Sequence, residues 1–439
     1  MTTLKQAAAI LMQDATQQAQ GVSNGEYSTA DLLSVQASET DRLNPMLNAF
    51  VHRLAPVDVP ADVPFNPLRG VSFAVKDNID VAGLPSHSGL RALAAAPAAA
   101  DAPVVARLRT AGLVLTGKLN MSPVALGASN HNDDFGNCFN PLRAGYSPGG
   151  SSGGAASAVA AGLVSVALGT DTMGSVRLPA AWCGVVGFKP SWGHIPTGGV
   201  LPLCSALDHV GVLARSVRDV CHAYGLLSGR HDDEAISRRQ GYPVLGMPVS
   251  LAPLGLEPAV ATAFSAACAT IEQRGYPEQR IDFADYPFAT VRRAALLWCE
   301  AELLNTLGAA EAARREQLPA ALAAMLGFAA GKSAADLARA LSRISLARQW
   351  LEAALTGVDC LLLPTCPGRA MPMSEPEPSN TADLAALANI LGAPAISLPL
   401  PVAGESLPAA LQLIGRPGQD HALLEMAESI AMMIAPDAA

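Results

Sequence analysis

The chain has 439 residues and a formal net charge of −9; half of its residues are apolar and 15% are charged. That balance excludes a largely disordered chain and supplies enough apolar material for a large buried core. No basic stripe interrupts the acidic surface, which excludes a nucleic-acid footprint.

Residues 3–20 read as a helix and not as a signal peptide, because the opening lacks a basic segment followed by a clean apolar core. A second helix is predicted over 29–43, with Ser28 as its cap and Asp31 in its first turn. Residues 53–70 are proline-rich and read as a surface loop, and 70–76 reads as a strand with Lys76 at its end. An Ala/Pro tract over 92–102 reads as loop, 102–111 as helix and 113–117 as buried strand. The polar, glycine-rich passage 129–154 is long for a loop inside a compact domain, and loops of that length tend to build binding sites. Behind it, 155–169 reads as a small-residue helix followed by a strand, and 170–178 as a tight turn. The stretch 153–169 is the nearest approach to a membrane span, but its glycines and serines fit a buried helix and strand better.

Short strands and turns alternate over 186–220, and the second half is richer in helix. A strand is predicted at 242–250, an amphipathic helix at 258–274, and nearly continuous helix over 289–357 with breaks at Pro319 and Gly331. Apolar strands follow at 359–364, 394–399 and 411–415, then a closing helix at 420–434. Short apolar strands alternating with helices predict an α/β fold: a single large domain with a central mixed β-sheet covered by helices on both faces. Its expected parts are N-terminal helices (1–60), a core (61–220) and a helix-rich remainder that completes the sheet (221–439).

The eight cysteines are scattered, form no CxxC pair and sit partly inside apolar runs, so they read as buried small hydrophobes in a reducing cytoplasm. The histidines form no HxH or HExxH pattern, so no metal is expected.

Two turns rich in glycine and serine carry the chemistry. The first is Gly-Gly-Ser-Ser-Gly-Gly, containing Ser151 and Ser152; the second is Gly-Thr-Asp-Thr-Met-Gly-Ser-Val-Arg-Leu-Pro, containing Ser175 and Arg177. Successive N–H groups in such turns form an anion-binding nest, which beside a serine is what an oxyanion hole requires. A phosphate cradle is the competing reading, but the GK[ST] ending is missing. A serine hydroxyl needs a base, and no histidine lies in these motifs. A lysine serves only when neutral, which burial promotes, and Lys76 ends an apolar strand. A buried ion pair of Lys76 with Asp77 or Asp80 is the structural alternative.

These motifs resemble the amidase signature family, together with Val-Lys-Asp-Asn-Ile-Asp around Lys76, Gly-Lys-Leu-Asn-Met ending at Met121 and Gly-Phe-Lys-Pro ending at Pro190. The similarity runs from about residue 21 to 220 and returns weakly at 359–415. The resemblance implies an amidase with Lys76 as base, Ser151, which follows a cis peptide bond in the family, as bridge, and Ser175 as nucleophile. It implies an oxyanion hole of backbone N–H groups at Thr172, Met173 and Gly174, extending to Ser175, and orienting groups at Ser152, Thr170, Thr172 and Asp171. Asn120, Met121, Ser129 and Asn130 fall where the family lines its pocket. Arg177 reads either as a substrate carboxylate reader or as an ion-pair partner of Asp171, with the pairing favoured. The family usually has glycine where this chain has Met173; methionine adds strain there if the position needs a left-handed φ, and its side chain narrows the acyl pocket.

The expected reaction is hydrolysis of a small carboxamide through a Ser175 acyl-enzyme, with no cofactor, no nucleic acid and no membrane, in a cytoplasmic enzyme for which a homodimer is one allowed assembly. Alternatives are the glutaminase subunit of a tRNA-dependent amidotransferase, which the tract 118–154 resembles, a hydrolase of urea-like compounds, or a silent binding protein on the same scaffold.

Overall fold

The computed structural model describes residues 9–434 except 56, 58, 60–62, 94–95, 230–241 and 313–317. Among these residues, eleven strands form one mixed sheet: β1 (Phe50–Arg53), β2 (Ser72–Lys76), β3 (Val114–Leu119), β4 (Val166–Asp171), β5 (Val186–Lys189), β6 (His209–Ala214), β7 (Leu245–Pro248), β8 (Glu278–Ile281), β9 (Cys360–Pro364), β10 (Ala395–Leu400) and β11 (Ala409–Ile414), in the order β1-β3-β2-β4-β6-β5-β10-β11-β9-β7-β8. β2 runs parallel to both β3 and β4, and all five of its residues are buried. A strand covered on both faces needs apolar side chains both ways, which explains its unbroken Phe-Ala-Val run. Phe73 and Val75 join Val166, Leu168 and Val212 in one apolar cluster, while Ala74 joins Ala167 and Leu213 in another. Side chains alternate along a strand, so Lys76 follows Ala74 onto the second face.

On that face lies α4 (Gly153–Ala160), after α1 (Ala15–Ser23), α2 (Thr29–Leu47) and α3 (Pro103–Thr110). α4 is made of glycine, alanine, serine and one valine. An alanine methyl contributes only about 0.8 kcal/mol on burial, so close approach, and not apolar area, is what these residues achieve. A Cβ on Gly154 would lie 2.5 Å from the Asn120 nitrogen and 2.6 Å from the Ala49 oxygen. The helix is thereby pressed onto the backbone beside β1 and β3, which fixes Ser151 and Ser152 at its start. α5 (Arg177–Cys183) and α6 (Val217–Ser228) follow, then α7 (Pro258–Gln273).

A separate helical layer consists of α8 (Phe288–Ala312), α9 (Ala320–Ala330) and α10 (Ala334–Ala354), joined by α11 (Ala386–Leu391). It has its own apolar cluster around Leu303, Leu326, Ile344 and Leu351. α12 (Asp420–Ile434) closes the fold on the α6 side.

Several predicted bounds move. The helix predicted over 3–20 is interrupted at 13–14, because Asp14 caps α1 through the Gln17 N–H and Gln17 returns the bond; residues 1–8 lie outside the described residues. α2 continues past 43 through Pro45 to Leu47. The turn predicted over 170–178 is shorter, since β4 runs to Asp171 and α5 begins at Arg177, and the stretch 186–220 ends inside α6. β1 and β8 were not predicted; β1 is short and half exposed, and three of the four β8 residues are exposed, so neither has an apolar run to read.

Candidate active site

β2, β4 and the start of α4 bring three elements of the two motifs together. Lys76 is fully buried, and its Nζ donates to Ser151 Oγ at 2.7 Å and to Thr170 Oγ1 at 2.8 Å. Asn78 Nδ2 donates to the same Thr170 hydroxyl at 3.2 Å. Burial lowers the Lys76 amine to about 7, against the opposing pull of the Asp171 and Asp208 carboxylates. The ion pair considered for Lys76 goes elsewhere: Asp77 faces Lys118 at 3.3 Å.

The Gly150–Ser151 peptide is cis. Ser152 sits beside the second motif, its N–H donating to the Ser175 carbonyl at 3.2 Å and its Oγ donating to the Thr170 carbonyl at 3.2 Å. Ser175 is half-buried and lines a cavity of about 570 Å³. Its hydroxyl makes no side-chain hydrogen bond among the described residues, so the Lys76–Ser151 link is formed and the Ser151–Ser175 link is not closed.

Asp171 organises the turn. Its carboxylate accepts from the N–H groups of Gly174 at 2.8 Å and Val176 at 3.1 Å, from Arg177 Nε and Nη2, and from Asn389 Nδ2 at 2.8 Å. Burial alone would raise this carboxyl; the Arg177 guanidinium overrides it and holds the group well below the usual carboxylate range. Arg177 is buried, pairs with Asp171 at 3.0 Å and donates to Gln412 and Asn389. Of its two readings, the ion pair is the one the geometry contains; the guanidinium does not line the cavity.

Three further placements differ from expectation. The Gly174 N–H is taken by Asp171, whereas no intramolecular acceptor takes the N–H of Thr172, Met173 or Ser175 among the described residues. The left-handed position of the turn is Gly174 (φ 114°) and not Met173, so methionine introduces no backbone strain; its side chain lines the cavity. Met121, Ser129 and Asn130 are not among the residues that line the cavity. Met121 is core, Ser129 Oγ bonds His131 Nδ1 at 2.9 Å, and Asn130 Oδ1 accepts the Gly153 N–H at 3.2 Å.

Sequence reasoning missed Asp208, whose carboxylate accepts from Thr172 Oγ1 at 2.5 Å and is pushed up to about 6 by burial. It also missed Asn389 and Gln412. Both are lone polar residues inside apolar runs, Ala-Leu-Ala-Asn-Ile-Leu and Ala-Ala-Leu-Gln-Leu-Ile, which is the signal of a buried polar partner. The far wall of the cavity comes from α8, α9 and α10, where no motif marked it.

A large mixed sheet holds a buried lysine against a serine hydroxyl at its strand ends, the arrangement that the resemblance to serine amide hydrolases implies. The particular family is equally plain. A model of the Amidase family matches residues 55–424, and the chain belongs to that family, the amidase signature enzymes; it is an amidase. A glutamyl-tRNA(Gln) amidotransferase subunit from Symbiobacterium thermophilum is 31% identical over 92% of this chain and 93% of its own. Indoleacetamide hydrolase of Pseudomonas savastanoi is 37% identical over 61% of this chain and 59% of its own. Among solved structures, one described as an amidase has a TM-score of 0.86 at 28% identity, covering 96% of this chain and 100% of that one. 6-Aminohexanoate cyclic dimer hydrolase has a TM-score of 0.83 at 26% identity, covering 97% and 98%.

Proposed function

We propose that this amidase hydrolyses a small carboxamide to the carboxylic acid and ammonia or an amine, through an acyl-enzyme on Ser175. The observation that carries the reading is the 2.7 Å contact between a fully buried Lys76 amine and Ser151 Oγ, next to a serine that opens onto the cavity. The neutral Lys76 amine takes the Ser151 proton as Ser151 Oγ takes that of Ser175. Ser175 Oγ bonds the amide carbon, and the carbonyl oxygen becomes an oxyanion held by the N–H groups of Thr172, Met173 and Ser175. The proton returns along the same path to the leaving nitrogen as the C–N bond breaks. Water then adds to the acyl carbon, and the acid leaves as Ser175 regains its proton. Thr170 and Ser152 hold the relay groups in place, and Asp171 holds the turn.

Labelling tests this directly. A fluorophosphonate is expected to modify the protein once, at Ser175, and to abolish amide hydrolysis; Ser175→Ala is expected to lose both. Modification elsewhere with hydrolysis intact would refute the assignment. The reading places the enzyme in a reducing cytoplasm, which eight unpaired thiols support, and leaves a homodimer to be tested by sedimentation. Among the described residues, no helix is long and apolar enough to cross a membrane.

A second reading, a glutaminase component of an amidotransferase, is favoured by the near full-length similarity to glutamyl-tRNA(Gln) amidotransferase subunits at 31–32% identity. Ammonia released from glutamine only when partner proteins are added would select it over a free-standing amidase.

A further inference from the structure

The α8 wall of the cavity carries a charge that the proposed chemistry does not use. Arg292, Arg293, Leu296, Leu297 and Glu300 line the cavity at helical spacing, so one face of α8 looks into it. Glu300 is only 6% exposed, and among the described residues it has no hydrogen bond and no ion pair. The Glu300 oxygens are not sealed from solvent, so the small exposed part of the residue is its unpartnered carboxyl opening onto the cavity, where a ligand can meet it. Burial alone, with no neighbouring cation opposing it, pushes the Glu300 carboxyl up to about 7.

The cations around the cavity do not supply that partner. Arg292 is paired with Asp383, and Arg339 with Asp336 at 2.5 Å. Lys332 lies over the Phe328 ring at 3.9 Å, and Arg293 and Arg343 are exposed to water. The walls nearest Glu300 in the chain are apolar, with Leu296, Leu297 and Cys299. In such surroundings a carboxylate discriminates strongly for a positive group and against a neutral or negative one.

We propose that Glu300 is a specificity-determining residue of this amidase, and that the preferred substrate is an amide that also carries a primary ammonium group, which Glu300 binds while Ser175 attacks the carbonyl. This rests on the reaction proposed for Ser175. It narrows the substrate from small carboxamides in general to amino-amides, and it gives the cavity a second anchoring point besides the nucleophile.

The test compares three short series under mildly alkaline conditions, where Glu300 is ionised: ω-amino alkanamides from glycinamide upward, their methyl-terminated neutral counterparts, and ω-carboxy amides. A charge-assisted hydrogen bond predicts that the best amino-amide exceeds its neutral counterpart in kcat/KM by about 10- to 100-fold. Glu300→Gln is expected to reduce that ratio to about threefold or less. Equal kcat/KM for the amino and neutral series in the unaltered enzyme would overturn the proposal, as would a preference for the carboxy series, which would assign selection to the exposed arginines instead. A preference that survives Glu300→Gln would also overturn it. Fluorophosphonate labelling is run on both proteins: labelled enzyme that hydrolyses amides without amino preference refutes only the role of Glu300, whereas absence of labelling and of hydrolysis refutes the Ser175 reading itself.

Discussion

The strand-end wall of the cavity and the helical wall formed by α8 to α10 face the same space but are constrained in different ways. In the first, backbones meet at distances that exclude a side chain, and polar groups are shared: the Asp171 carboxylate serves two N–H groups, Arg177 and Asn389. Altering one group there leaves several others buried without partners. In the second, contact with the cavity is made by side chains projecting from helices, among them the Met325 thioether and the Phe328 ring. Each can change without moving its neighbours' backbone. The difference teaches where the reaction is fixed and where the substrate is chosen.

The largest effect is expected at Lys76. Arginine keeps the charge but does not give up its proton, so Lys76→Arg is expected to reduce kcat/KM by about 10³-fold or more, close to the loss for Ser175→Ala, since relay members act as a unit. Steady-state kinetics on any hydrolysed amide checks this; a loss under about tenfold would remove Lys76 from the chemistry. In the unaltered enzyme the base works only when uncharged. With Lys76 lowered to about 7, kcat/KM is expected to fall about tenfold per pH unit below that value and to level off above it. The sign follows for stability too. The folded amine releases its proton below the ordinary 10.5, so between about 7 and 10.5 the unfolded chain binds the extra proton and this site favours folding increasingly as pH rises. A flat pH–rate profile across neutrality would contradict the burial argument.

Asp171→Ala comes next. It strands a fully buried Arg177 guanidinium and releases the Gly174 and Val176 N–H groups, and is expected to destabilise the protein by about 3–5 kcal/mol in urea unfolding. Gly174→Ala probes the same wall through backbone alone. At φ 114° a side chain is strained, and the new Cβ would lie 2.5 Å from Ala385 Cβ. A loss of about 1–3 kcal/mol and weakened activity are expected, because the oxyanion donors sit on this turn. If either variant unfolds like the parent, the strand-end wall is less constrained than its contacts indicate.

The same contrast governs what the sequence revealed. The strand-end wall is written in residue types that have few other uses: glycines where chains touch, a lysine closing an apolar strand, hydroxyls on successive turns. Local chemistry therefore placed β2, α4, β4 and the motif residues near their observed positions. Partners contributed from a distance were invisible, because a lone Asn389 or Gln412 signals only that it has a partner, not which one. The allocation of the Gly174 N–H to Asp171 depends on turn geometry that no residue pattern encodes. On the helical wall the breaks at Pro319 and Gly331 were legible from backbone chemistry, and α9 lies between them. Which face of each helix meets the cavity was not, since α9 is apolar almost all round and gives no amphipathic stripe to orient it.

The smallest expected effect tests the helical wall at Phe328. The ring is 57% exposed, lines the cavity and lies under the Lys332 ammonium. Phe328→Ala removes that cation–π contact, worth about 0.5–1 kcal/mol at an exposed site, and leaves no buried group unsatisfied. Stability is therefore expected to change by less than about 1 kcal/mol. Contact with the substrate body is made equally in the ground and transition states, so KM should rise by about two- to fivefold with kcat nearly unchanged. A fall in kcat comparable to that of Lys76→Arg would mean that the helical wall positions the reacting carbonyl as well as binding the substrate, and the division of labour between the two walls would have to be abandoned.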